Sequence, residues 1–201
     1  MPTVLTGKID KLDIKETMRY LGYSGVKSAD GLDGLIAECE GLIQPVLAPK
    51  AVYDVFPLTH GEGEALDLGF ARVNSHSLFL NLNGCKKIAL FAATVGAGVD
   101  RLILKYNRLS PARAVVLQAM GAAAAEQWCD ELNARITARF GPTRPRFSCG
   151  YGDLPLKLQR EIFPALNVTK NIGVTLTDGD LMIPEKSVTA IVGILLSLIH
   201  I

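Results

Sequence analysis

Residues 146–153, Arg146-Phe147-Ser148-Cys149-Gly150-Tyr151-Gly152-Asp153, set one arginine close to a tyrosine flanked by two glycines. Glycine lets a backbone approach a ligand closely, and a guanidinium presents a fixed fork of donors that fits a carboxylate. The same run also makes an ordinary tight turn, since loops carry structure as well as function. A second candidate is Glu126. No charge occurs from Ala114 to Ala125, and this acid follows directly. Carboxylates are seldom buried unless paired. Glu126 therefore reads as half of a structural salt bridge, as part of an exposed helix face, or as an acid that faces a cleft and meets a ligand.

Other chemistries find little support. Gly96-Ala97-Gly98 follows an apolar strand, but the third glycine of a dinucleotide-binding turn and a downstream ribose-binding acid are absent. His60, His76 and His200 lie far apart and lack the Cys or acid spacing of a metal site. Cys39, Cys85, Cys129 and Cys149 form no C-x-x-C pair and read as reduced, buried thiols. Neither a Walker loop nor a G-x-S-x-G elbow occurs.

The elements that must position Glu126 and the Arg146 loop are legible from periodicity. Ser110-Pro111 is a good helix start, and nothing before Gly141-Pro142 breaks a helix except a tolerated Gly121. That predicts one helix of about 45 Å over residues 111–140. Val116, Met120, Ala124, Trp128, Leu132, Ile136 and Phe140 recur along it every four residues. Its middle, Ala122 to Ala125, is narrow enough for another backbone to approach. Asp10 or Asp13 opens a first helix that stops at Gly22, and Leu32 to Ile43 repeats the helical period until Pro45. Strands are predicted at residues 51–56, 66–73, 77–82 and 86–96, and again at 174–176, 181–183 and 187–194. A short helix is expected from Pro155 to Pro164. Runs of strands separated from runs of helices point to an α+β fold: one twisted, largely antiparallel sheet flanked by helices, including the long central one.

The 201 residues suit a single domain spanning 1–201, with an N-terminal helical segment over 1–45. Hydrophobic residues are 49% and charged residues 20%, which is globular composition. Lys and Arg total 21 against 20 Asp and Glu, so no charge field attracts nucleic acid or a membrane surface. The N-terminus lacks the basic start and apolar core of a signal peptide, and a cytoplasmic location is expected. The apolar end, Ala190 to Ile201, falls well short of the ~20 residues that span a bilayer. It reads as a buried strand followed by a tail, residues 195–201.

Three blocks together resemble the S-adenosylmethionine-binding activation (reactivation) domain of cobalamin-dependent methionine synthase, here in stand-alone form. Arg146-x-x-x-Gly150-Tyr151 is similar to the family's Arg-Pro-Ala-Pro-Gly-Tyr loop. Leu176-Thr177-Asp178 through Met182-x-Pro184-x-x-Ser187-Val188 is similar to its Leu-Thr-Glu-Ser, Met-Trp-Pro and Ser-Val run. Leu117-Gln118-Ala119-Met120 through Glu126-x-Trp128 matches its long helix, with an acid and an aromatic in the corresponding places. The resemblance is close over most of residues 111–194 and loose over 1–110.

The resemblance implies an accessory role. S-adenosylmethionine donates a methyl group to the cobalt of an inactive cobalamin, which a partner protein carries, after one-electron reduction by flavodoxin or a ferredoxin-type reductant. The partner is the corrinoid-binding methionine synthase core. Such chemistry needs positioning more than acid–base catalysis, because the reduced cobalt is itself a strong nucleophile. Carried over by position, Arg146 meets the methionine carboxylate, Ser148 and Gly150 contribute backbone contacts, and Tyr151 lies where ligand and corrin meet. Asp13 corresponds to the acid that holds the amino group. Val192 and Gly193 touch the adenosine end through backbone atoms. Glu126 and Tyr151 are the side chains closest to the chemistry. Two departures stand out: Ala122 replaces a second acid on the helix, and Cys149 replaces the proline before Gly-Tyr. The alternative readings are a docking or S-adenosylmethionine-sensing module without methyl transfer, and a small enzyme using Glu126 and Tyr151 as an acid–base pair.

Overall fold

The computed structural model describes residues 1–23 and 32–195. In chain order the elements are β1 (Thr3–Thr6), α1 (Ile14–Tyr20), α2 (Leu32–Ile43), β2 (Lys50–Pro57), β3 (Thr59–His60), β4 (Ala65–Asp67), β5 (Arg72–Asn74), α3 (His76–Asn81), β6 (Cys85–Thr94), α4 (Ala97–Leu109), α5 (Pro111–Phe140), α6 (Gln159–Leu166), α7 (Val168–Ile172), β7 (Thr175–Leu176), β8 (Met182–Ile183) and β9 (Ser187–Leu195). Single 3-10 turns occupy Gln44–Val46 and Leu156–Leu158.

The main sheet has the order β1-β2-β6-β9, with every neighbouring pair antiparallel. β6 is buried on both faces from Ile88 to Thr94. Alternate side chains of a strand point to opposite faces, so Ala89, Phe91 and Ala93 join one core while Ile88, Leu90 and Ala92 join another. The first core lies under α2, α4 and α5, and the second under α3, α6 and α7. Two helical layers thus enclose an antiparallel sheet, giving the expected α+β architecture.

α5 starts at Pro111, where the ring suits the first helical position, and ends at Gly141, whose φ of 96° only glycine adopts without strain. Val116, Met120, Ala124, Trp128, Leu132 and Ile136 are all buried, as the four-residue repeat predicts. Trp128 is fully enclosed and donates its indole N–H to the Lys50 carbonyl at 2.9 Å. The backbone of Gly7 passes directly over this ring.

Several local expectations differ from the structure. Residues 77–82 are helical in α3, because the Ser75 hydroxyl accepts from Leu78 N at 3.2 Å and caps the turn. Residues 66–73 form the β4–β5 hairpin, which joins β3 in a separate three-stranded sheet. β7 and β8 also pair only with each other. The strands therefore divide among three sheets where one was expected. β1, β3, α4 and α7 lie outside the segments expected from periodicity. β9 continues to Leu195, and the remainder of the expected tail, residues 196–201, lies outside the described residues. Among the described residues no helix is long and apolar enough to cross a membrane.

Candidate functional site

After α5 the chain turns back along the outer side of β9. Phe147 and Ile191 exchange N–H···O bonds of 2.8 Å in both directions, and Thr143 bridges Ile194. This pairing covers the sheet edge and aims Arg146 at the flank of α5. The following turn closes through Gly150 N to Leu154 O at 2.9 Å, with Gly150 at φ +89°. A Cβ on Gly152 would lie 2.5 Å from Ser77 Oγ, so the second glycine answers a steric demand. Asp153 then fastens the loop to α3, accepting from Ser75 Oγ at 2.6 Å, His76 N at 2.7 Å and Ser77 N at 3.1 Å. The Ser75 hydroxyl and these backbone donors hold the Asp153 carboxyl below the usual carboxylate range.

Arg146 is clasped by two acids of α5. Its Nη2 donates to Glu126 Oε2 and its Nη1 to Asp130 Oδ1. Burial pulls the guanidinium's pKa down, but the two carboxylates outweigh it and the net displacement is upward. Glu126 is thus one half of an ion pair, and it also faces a cleft. Asp130 escaped the sequence reading, although its i,i+4 spacing from Glu126 marks the two acids as neighbours on one helix face.

Glu126 and Arg146 contribute to the wall of a cavity of about 660 Å³. Ser148, Cys149 and Tyr151 supply its loop side, and Ser187, Val188 and Thr189 of β9 its floor. The opposite side is formed by Leu156, Gln159 and the tip of the β7–β8 hairpin. Its volume falls within the range of roughly 300–1,000 Å³ usual for small-molecule sites. Burial lifts the Cys149 thiol to about 11. Tyr151, 70% exposed, and Leu181, 62% exposed, are the exposed large hydrophobic side chains of the wall.

Of the residues singled out from sequence, Glu126, Arg146, Ser148 and Tyr151 line this cavity, and Gly150 shapes its loop. Asp13 stands elsewhere. Its Oδ1 accepts from Glu16 N at 3.0 Å as the cap of α1, and it lines a smaller recess of about 350 Å³ that shares Glu126 with the main cavity. Val192 and Gly193 do not line the cavity either. Val192 is fully buried in the core beneath α5, and the Gly193 carbonyl accepts from Arg144 N at 2.8 Å. The strand residues that reach the cavity lie a few positions earlier, at Ser187 to Thr189. Among the described residues no cluster of three or more His, Cys, Asp or Glu side chains is placed to hold a metal ion.

No family model matches the sequence, and no curated protein matches it. The architecture does match a solved structure, the reactivation domain of MetH, the methionine synthase, bound to AdoHcy. The superposition has a TM-score of 0.76 at 16% identity and covers 96% of this chain and 78% of that one. The chain has the methionine synthase reactivation-domain fold.

Proposed function

We propose that the chain binds S-adenosylmethionine in the Arg146 cavity and supports reductive re-methylation of inactive cobalamin carried by a separate methionine synthase core. The observation that carries this reading is convergence. The Arg146 loop and the α5 acid, far apart in sequence, meet on one cavity of suitable volume, in a fold shared with a domain solved with AdoHcy.

In this reading Arg146 receives the ligand carboxylate, either through donors not engaged by α5 or by exchange for the carboxylate of Asp130, whose side chain is 70% exposed. Glu126 keeps the guanidinium oriented and the loop close to α5. When bound, S-adenosylmethionine supplies an electrophilic methyl on a positive sulfur, and its loss to the partner's cobalt leaves the neutral thioether AdoHcy. Cys149 does not compete for that methyl, because burial keeps the thiol protonated and a thiol is a far weaker nucleophile than a thiolate. The exposed side chains of Tyr151 and Leu181 are where the corrinoid-carrying core docks. A flavodoxin or ferredoxin-type protein supplies the electron.

The double ion pair on Arg146 favours one second reading, a docking module in which the arginine serves only the loop. Calorimetric titration with S-adenosylmethionine and AdoHcy separates the two. Saturable binding that is lost with Arg146→Ala supports the first. No binding of either compound, together with docking to a corrinoid-loaded core that Leu181→Asp abolishes, supports the second.

A further inference from the structure

Gln159, the first residue of α6, is 3% exposed and belongs to the wall of the main cavity. Its Nε2 donates to the Asp180 carbonyl at 3.1 Å. That contact decides which way the amide faces, because a carbonyl can only accept. The other end, Oε1, is buried and accepts from nothing among the described residues. Several other buried side-chain polar atoms also lack a partner, but none of them belongs to a residue lining this cavity. Buried acceptors are almost always satisfied, and an orphan in the wall of a cavity is a place for a donor from a ligand or from a water that a ligand displaces.

The surroundings restrict what that donor is. The charged groups of the cavity wall are Arg146 with Glu126 on the loop and α5, Glu185 ahead of β9, and Asp180 at the hairpin tip, whose carboxylate pairs with Arg160; Gln159 on α6 shares the wall with Leu156, Leu181 and Met182. Arg160 already occupies the Asp180 carboxylate, so the neutral acceptor of Gln159 suits an uncharged N–H or O–H group, since a cation would lose its hydration for a single dipole. Gln159 Oε1 is closed off from solvent, so the hairpin tip must yield slightly for a donor to reach it. Leu181 at that tip is 62% exposed and has room to move aside.

We infer that Gln159 is a specificity-determining residue of the cavity, whose amide oxygen accepts a hydrogen bond from an uncharged donor on the adenosyl group. This rests on the S-adenosylmethionine reading above. Two donor sources share that chemistry, the exocyclic amine of the base and the ribose hydroxyls.

The test is calorimetry of the full chain with AdoHcy and three relatives: the inosyl analogue, which lacks the amine, and the 2′-deoxy and 3′-deoxy analogues. Wild type is expected to bind one of the three about tenfold more weakly than AdoHcy. Gln159→Met, of similar volume, is expected to erase that difference, which is the coupling a double-mutant cycle measures. Gln159→Leu, likewise uncharged and without an acceptor, is the second variant if Gln159→Met proves unfolded by circular dichroism, and it should erase the preference in the same way. Equal weakening of all four compounds by Gln159→Met, or no discrimination by wild type, overturns the inference. If AdoHcy binding depends on Arg146 but ignores Gln159, only this inference fails. If wild type binds none of the four, the functional reading fails with it.

Discussion

Arg146 and Glu126, twenty residues apart in sequence, are joined by a direct bond from Nη2 to Oε2 that ties the ligand-side loop to the long helix. The side chains are 24% and 36% exposed, so the pair stands at the boundary between core and cavity. One guanidinium therefore braces the loop against α5 and lines the cavity.

Arg146→Ala is expected to weaken S-adenosylmethionine binding more than tenfold, since a charge-assisted pair with a carboxylate contributes roughly 1.5 to 3 kcal/mol. Arg146→Lys should recover only part, because an ammonium cannot reproduce the two-pronged geometry. Partly exposed ion pairs contribute about 1 kcal/mol or less to folding, so the melting temperature should fall by only a few degrees. Unchanged affinity in a folded Arg146→Ala protein would remove the principal residue of the site.

Gly7→Ala should destabilise the fold without touching the cavity. A Cβ there would lie 2.2 and 2.3 Å from two ring carbons of Trp128, which is fully buried and pinned by its bond to Lys50. Overpacking of this kind costs about 1 to 3 kcal/mol. Chemical denaturation should show the loss as a lower midpoint, while ligand affinity in the folded population stays unchanged. A wild-type midpoint would contradict the packing described for α5.

Cys149 should alkylate slowly at neutral pH. Burial raises its thiol to about 11, with hydrogen bonding to Thr189 offsetting part of the rise. At pH 8 only roughly one part in a thousand is thiolate, and the rate should climb tenfold per pH unit up to about pH 11 while the fold persists. Bound AdoHcy should protect the thiol, because Cys149 lines the cavity. Mass spectrometry after timed iodoacetamide treatment reads both effects, and rapid labelling at pH 7 would refute the first.

Asp153→Asn is expected to lower the melting temperature at pH 7 by loosening the loop from α3. The folded carboxyl titrates below its unfolded value of about 4, so its contribution is complete above that value and declines as pH falls through the folded one. The gap between wild type and variant should be widest near neutrality and close below about pH 4. A gap that stays constant down to pH 3 would show that the charge is irrelevant there.

Sequence alone determined the elements whose information is local. α5 was legible from Pro111 to Phe140 because its four-residue repeat is long and its ends carry proline and glycine. The Arg146 loop and β9 were legible for related reasons, an unusual residue run and an unbroken apolar stretch. Short apolar runs were ambiguous: residues 77–82 looked extended until the Ser75 cap made them helical. Partners across the chain were beyond reach, since neither periodicity nor composition records which side chains meet. Asp153 lies close to Arg146 in sequence, yet it bonds to Ser75, His76 and Ser77. Only the tertiary structure decided that Arg146 pairs with Glu126 and Asp130, that Asp13, already legible as an opening residue of α1, lines a separate recess, and that the strand floor of the cavity is Ser187 to Thr189. The first and the last share one physical reason. The pairing of residues 143–147 with β9 sets which side chains face α5, and that register is fixed by long-range backbone hydrogen bonds.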